Sequence, residues 1–411
     1  MFLKIFKSAF TPIISTCFLM FGCGLINTVI NLRINDNTYD SSLIVGVITS
    51  VYYLGMFIGA FGVSSMIFRV GHMRAYAAFA SGFVVSIIAP MLDENIYFLS
   101  AMRLLSGYCI GALYVTIESW LLSLSGENDR GKYLSFYMIA LFGGTSVSQL
   151  LLKYMDYNSM YPFCVAAIFT SLSVIPVSLV NTKTSTYEKS SALSFFDVFK
   201  ISPTGSIGCV VSGMFSAAAY GLIPIYYDDL NYAEAEIGNF MAVTIVGGMV
   251  LQYPLGILSD HYDRRKVLLG ICSVVILVSL AILTQRLSGI STNISIVTLL
   301  FLFGGLAFSI YPISISHACD LIKQDDLVQA TQALLLSYGI GSVIGPIFSS
   351  LLMKFFGPSG LFASFVIYAL LLSIFFSYRI FFGSIPKPQD EQNFVAVPTT
   401  TPVTTELDPR T

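Results

Sequence analysis

Arg103, Gly107, Gly111, Tyr114 and Glu118 fall within ~80° of one another on a helix that turns ~100° per residue. They lie inside an apolar run near 97–124, so two ionisable groups, two small residues and a phenol share one stripe. An ionisable side chain at membrane depth costs at least ~2.5 kcal/mol on insertion scales and faces water or a partner. The stripe therefore faces a cavity or a close-packed helix, not lipid. Fifteen residues, roughly 22 Å of helix, separate Arg103 from Glu118, so each needs its own partner. A carboxyl in that setting could load and unload a proton as water access changes. The plainer alternative for Glu118 is packing or capping near a helix end.

Weaker signals stand elsewhere. Tyr311-Pro312 precedes His317 and Asp320 in an apolar run near 294–318, where Pro312 removes a backbone hydrogen bond and is expected to kink the helix. His317 titrates near neutral pH in its ordinary state, yet a lone histidine near a helix end also serves as a packed or interfacial residue. Asp320 lies close enough to the interface that gating suits it better than substrate contact. Asn27 and Asn31 stand one turn apart in the first apolar run, Gln252 in the eighth and Gln332 in the eleventh. Buried amides need partners, and a neighbouring helix satisfies them as well as a ligand does. Tyr220 and Tyr226 in the seventh run are in the same position.

A membrane enzyme is a second class, but its chemistry is absent from the pattern. No nucleophile elbow, HExxH or carboxylate–histidine cluster occurs, and there is no Walker A sequence to use ATP. His72, His261 and His317 are far apart, and the seven cysteines lie in apolar runs without CxxC spacing. They read as small buried apolar groups, with no metal site, cofactor or disulfide framework implied.

The elements that must position these residues follow from composition. Of 411 residues 55% are apolar and 11% charged, against roughly 25% charged in a soluble chain. Apolar runs fall near 9–30, 43–67, 75–92, 97–124, 133–152, 160–180, 204–226, 236–258, 267–285, 294–318, 328–353 and 360–382. Twelve spans of ~20 residues each are expected in a lipid bilayer. The first follows Lys4 and Lys7 but is too long for a signal-peptide core and lacks a small-x-small cleavage site, so it is expected to stay. With a cytoplasmic N-terminus, sixteen lysines and arginines lie inside and only Arg33, Lys153, Arg286 and Lys354 outside. That asymmetry places both termini in the cytoplasm. No basic block for nucleic acid is present.

The chain divides into an N-terminal half over 1–180, a polar cytoplasmic linker over 181–202, a C-terminal half over 203–382 and a Pro/Thr-rich tail over 383–411, expected to be disordered. The halves echo each other. Arg69-Val-Gly71-His-Met-Arg74 after span two is matched 192 residues later by His261-Tyr-Asp263-Arg264-Arg265-Lys266 after span eight. Phe142-Gly143-x-x-Ser146-Val147 is matched by Tyr338-Gly339-x-x-Ser342-Val343, 196 residues on. Six spans per half in the same hand indicate parallel repeats about an axis normal to the membrane.

Gly256-x-Leu258-x-Asp260-His-x-Asp263-Arg264-Arg265-Lys266-x-Leu268 resembles the G-x-L-x-D-R-x-G-R-R/K-x-x-L loop of the major facilitator superfamily, with His261 for Arg and Asp263 for the second Gly. The first-half copy keeps Arg69 and Gly71 but has Ser64, Met66 and Phe68 where Gly, Leu and Asp are expected. Arg103-x-x-x-Gly107 resembles the superfamily's span-four motif, with Ser106 and Cys109 for the expected Gln and Gly. Ile26-Asn27-Thr28, Glu118-Ser119, Arg130-Gly131, Tyr220-Gly221-Leu222-x-Pro224, Tyr311-Pro312 and Gln332-Ala-Leu-Leu-Leu-Ser-Tyr338 are similar to the YcaD-like bacterial subfamily. Gly341-x-x-x-Gly345-Pro346 resembles an exporter motif but sits in span eleven, where close packing explains it.

The resemblance implies an all-α membrane protein of twelve transmembrane helices in two pseudo-symmetric six-helix halves. Spans one, four, seven and ten would line a central cavity in a bacterial inner membrane. It implies a non-enzymatic secondary transporter of a small-molecule substrate, monomeric, coupled to protons, with symport and antiport, uptake and export all open. A transporter-like sensor that binds solute without moving it is the alternative. Asn27, Arg103, Tyr114, Glu118, Tyr220, Gln252, Tyr311, His317 and Gln332 are the substrate and coupling candidates. Arg69, Gly256, Asp260, Arg264, Arg265 and Asp320 are the gating candidates, with Asp260 expected to meet a neighbouring helix N-terminus as a latch.

Overall fold

A computed structural model describes residues 2–37, 41–93, 95–125, 130–180, 195–288, 292–322 and 327–382, together with Thr400. The expected linker and tail therefore lie outside the described residues, apart from 195–202 and Thr400. All regular structure among the described residues is helical: α1 (Phe2–Asn37), α2 (Ser41–Gly62), α3 (Ser64–Val70), α4 (His72–Ile88), α5 (Ile96–Leu124), α6 (Arg130–Gln149), α7 (Tyr161–Ser178), α8 (Phe195–Ile201), α9 (Pro203–Asp228), α10 (Glu234–His261), α11 (Arg264–Ser288), α12 (Asn293–Cys319), α13 (Leu327–Phe356) and α14 (Gly360–Phe381). The apolar segments correspond to twelve long helices, α13 and α14 meeting across a 3₁₀ turn at Gly357–Ser359. The twelve-span expectation is met.

Helix ends depart from the apolar runs where polar flanks continue the backbone ladder, as in α1, which extends from the expected 9–30 to Phe2–Asn37. Span two ends earlier than expected. The run to 67 contains a break at Val63, after which α3 forms a separate short helix ended by Gly71 at φ 83°. The matching position after α10 is Asp263, whose Oδ1 accepts from the Arg265 N–H at 3.0 Å, as an N-cap does. A side-chain cap stands where the first half uses a glycine turn.

The described residues form two compact units. One comprises α1 to Arg33, α2 from Val51, α3 to α7 and Thr400; the other comprises Ile34–Ser50 and α8 to α14. Within the first, Tyr76 donates to Ser173 at 2.8 Å, and Gln149 accepts from Thr28 while donating to the Gly24 carbonyl. Within the second, Tyr368 donates to the Gly345 carbonyl, and Phe215, Phe303, Phe362 and Phe365 form one aromatic cluster. Hydrogen bonds and tight contacts of this kind hold helices together where lipid supplies no hydrophobic drive.

The internal repeat appears as one helix crossing built twice. A Cβ on Gly107 would strike the Tyr52 carbonyl, and one on Gly55 the Leu104 carbonyl, so α2 and α5 touch backbone to backbone. In the second unit a Cβ on Gly304 would strike the Thr244 carbonyl, and one on Gly247 the Phe301 carbonyl. Each residue of α10 lies 192 positions after its counterpart in α2, and each of α12 lies 197 after its counterpart in α5. At the third contact the glycine changes sides: Gly111 meets Met56, whereas Phe308 meets Gly248.

Candidate functional site

The span-four stripe resolves into three environments. Gly107 and Gly111 lie against the backbone of α2 and serve the crossing rather than a cavity. Arg103 is 2% exposed; its Nη1 donates to Asn27 Oδ1 at 2.7 Å, and its guanidinium carbon lies 4.5 Å from the centre of the Tyr52 ring. Asn27 in turn donates weakly to Cys23 Sγ at 3.4 Å and to Tyr52 OH at 3.5 Å. Three helices, α1, α2 and α5, thus place a cation, a carbonyl oxygen and an aromatic face together. The contact combines a charge-assisted hydrogen bond with a cation–π contact.

Glu118, fully buried and roughly 22 Å along α5 from Arg103, has the separate partners that this spacing demands. Its Oε1 accepts from Tyr137 OH of α6 at 2.7 Å and from Thr400 Oγ1. Tyr114 between them is half-buried and donates to Met20 Sδ at 3.2 Å.

The second-unit candidates divide by depth. Tyr220 stacks on Phe308 with ring centres 5.3 Å apart, and Tyr311 meets Tyr338 edge-on at 4.9 Å. Gln252 is buried and Gln332 half-buried. His317 belongs with the charged end of the helices, where Arg264, Arg265, Asp263 and Arg379 are its electrostatic neighbours. In the same cluster Arg264, 7% exposed, holds Asp260 Oδ1 at 3.0 Å and Asp320 Oδ2 at 2.7 Å, with Ser259 Oγ at 3.1 Å. Asp260 therefore meets a side chain on the first residue of α11, an ion pair in addition to any contact with the helix N-terminus. Arg265 holds both oxygens of Asp263 and reaches the Arg379 carbonyl. Burial pushes the Asp263 carboxyl up, but the Arg265 hydrogen bonds and charge outweigh it and hold the group below the usual carboxylate range. Gly256 is buried in α10 and Arg69 is exposed in α3.

Four residues of these clusters carried no usable sequence signal. Tyr52, Cys23 and Tyr137 are ordinary members of apolar runs in a chain with 23 tyrosines and seven cysteines, and Thr400 lies in a low-complexity tail. The cysteine expectation needs one correction: five are buried, but Cys164 on α7 is exposed and Cys17 half-buried. No group of three metal-binding side chains occurs among the described residues.

The Major Facilitator Superfamily profile matches residues 13–202 and 205–405. The MFS-type transporter YcaD of Shigella flexneri serotype 5b is 30% identical over 378 residues, 90% of this chain and 94% of the relative. Its counterpart in Escherichia coli O7:K1 matches to the same extent. Among solved structures, the nucleoside transporter NupG superposes with a TM-score of 0.76 at 12% identity, over 91% of this chain and 99% of that one. A D-xylose-proton symporter superposes with a TM-score of 0.70 at 15% identity, over 94% and 99%. At such identities the structural likeness speaks for the fold.

Proposed function

The chain belongs to the Major Facilitator Superfamily, and from that premise we propose that it is a proton-coupled secondary transporter of a small solute, working by alternating access with Glu118 as its coupling group. The observation that carries this reading is the fully buried Glu118 carboxylate, held inside α5 by hydroxyl hydrogen bonds from two other segments. Hydroxyl partners accommodate both protonation states, since each can turn from donor to acceptor as the carboxyl gains its proton. The Asp260–Arg264–Asp320 cluster is the gating element of this reading. It ties the ends of α10, α11 and α12 by charge pairs that a change of helix packing must make or break.

Glu118→Gln keeps the shape and an acceptor for Tyr137 while removing the titration. In proteoliposomes carrying a proton gradient, the variant is expected to lose accumulation of the solute against its gradient while still exchanging it. A Gln variant that still accumulates solute makes Glu118 structural and moves coupling to His317, Asp320 or a bound sodium ion.

A further inference from the structure

Arg103 is a fully buried cation inside a span whose surroundings supply no opposite charge among the described residues. Among the described residues its contacts are neutral, the Asn27 carbonyl oxygen and the Tyr52 ring, with Nε buried and without an acceptor. Among the described residues no carboxylate forms an ion pair with it, whereas Arg264 and Arg265 each hold carboxylates. An ionised group so placed costs free energy unless it is compensated.

The fold does not require it. The counterpart of Arg103 across the repeat is Leu300, 197 positions on, fully buried beside the equivalent glycine crossing. The same helix pair packs without a charge there. The counterpart of Tyr52 is Thr244, so the aromatic face over the guanidinium is also specific to the first unit.

We infer that Arg103, Asn27 and Tyr52 form the anion subsite of this transporter, and that its solute carries a single carboxylate. One guanidinium compensates one negative charge, and its planar N–H fork matches the two oxygens of a carboxylate. Asn27 holds the fork in place through Nη1 and, being half-buried, is the side from which the anion reaches it. Tyr52 fixes the plane of the guanidinium from one face. The inference rests on the transporter reading for the word solute, but the subsite itself is testable by binding alone.

The test is thermal unfolding of the purified full chain, with matched acids and amides as probes: lactate and lactamide, benzoate and benzamide, nicotinate and nicotinamide. At least one acid is expected to raise the Tm of the natural protein, by about 1.5 °C at ten times its Kd, while its amide does not. Arg103→Gln is expected to lose that response without lowering the ligand-free Tm. Asn27→Asp supplies the missing charge from within, so it is expected to raise the ligand-free Tm and abolish the acid response. Overturning results are an Asn27→Asp variant less stable than the natural protein, an acid response that survives Arg103→Gln, amides that stabilise as well as acids, or no response to any acid. Flux in proteoliposomes then separates the two readings. A carboxylate that binds through Arg103 but is never carried leaves the subsite standing and removes the transporter reading. A neutral solute carried equally well by Arg103→Gln removes the subsite and leaves transport standing.

Discussion

α5 and α12 are one helix in two versions. Both approach their partner at a glycine, Gly107 on Tyr52 and Gly304 on Thr244, and both carry a tyrosine seven residues later, Tyr114 and Tyr311. Yet α5 buries Arg103 and Glu118 where α12 buries Leu300 and Ile315. In α12 the charge has moved to the helix end, where Asp320 is held by Arg264. The crossing is thus independent of the charges. Arg264, Arg265, Asp260, Asp263 and Asp320 in the second unit meet opposite charges at helix ends, while Arg103 and Glu118 of α5 lie inside the span against neutral oxygen and ring partners.

The largest effect that would break this comparison comes from moving a charge across it. Leu300→Arg is expected to cost at least ~2.5 kcal/mol, read as lost membrane insertion or a lowered Tm. Thr244 offers no ring there, only a hydroxyl that donates to the Phe240 carbonyl and can accept one N–H. If Leu300→Arg is as stable as the natural protein, the neutral partners of Arg103 are not special.

A smaller effect sharpens the shared part. Gly107→Ala and Gly304→Ala should each lose about 1–3 kcal/mol by overpacking, because both place a methyl against a backbone carbonyl. Gly270→Ala on α11, with open space around it, should be neutral or gain up to ~1 kcal/mol. Unequal costs at 107 and 304, measured by thermal unfolding, would mean that the two crossings are not mechanically equivalent.

The smallest effect concerns the paired end. Because Arg265 holds the Asp263 carboxyl below its ordinary range, the stabilisation it contributes is fully present above the unfolded value of ~3.9. It fades as pH falls through the lower folded value. The Tm difference between the natural protein and Asp263→Asn should therefore shrink as pH is lowered from 5 toward 2, assuming about the ordinary carboxylate range for the unfolded chain. A constant difference would show that Asp263 acts only as a helix cap.

Much of the architecture was legible because bilayer thickness sets the length of every apolar run. The α5 limits, expected at 97–124 and found at Ile96–Leu124, show how well charged and Asn-containing flanks mark a span. The break at Val63 was not legible, since hydropathy does not register an interruption of the helix. Within the clusters, Arg103 and Glu118 announced themselves because charges inside apolar runs are costly. Tyr52 and Tyr137 did not, because aromatic residues are at home in such runs and only their contacts separate them from the rest. Arg264 and Asp320 stand 56 residues apart, and their pairing depends on how α11 and α12 meet.

Trp120, the sole tryptophan of the chain, lies two residues beyond Glu118, buried, with its Nε1 lacking an acceptor among the described residues. Excited at the red edge, where tyrosine does not absorb, the whole protein emits from one turn of α5. Indole emission follows the polarity around the ring, so water arriving beside the Glu118 turn is reported optically. Neither a label nor an engineered cysteine is required, and the spectrum of the natural chain becomes a gauge of hydration around a buried carboxyl.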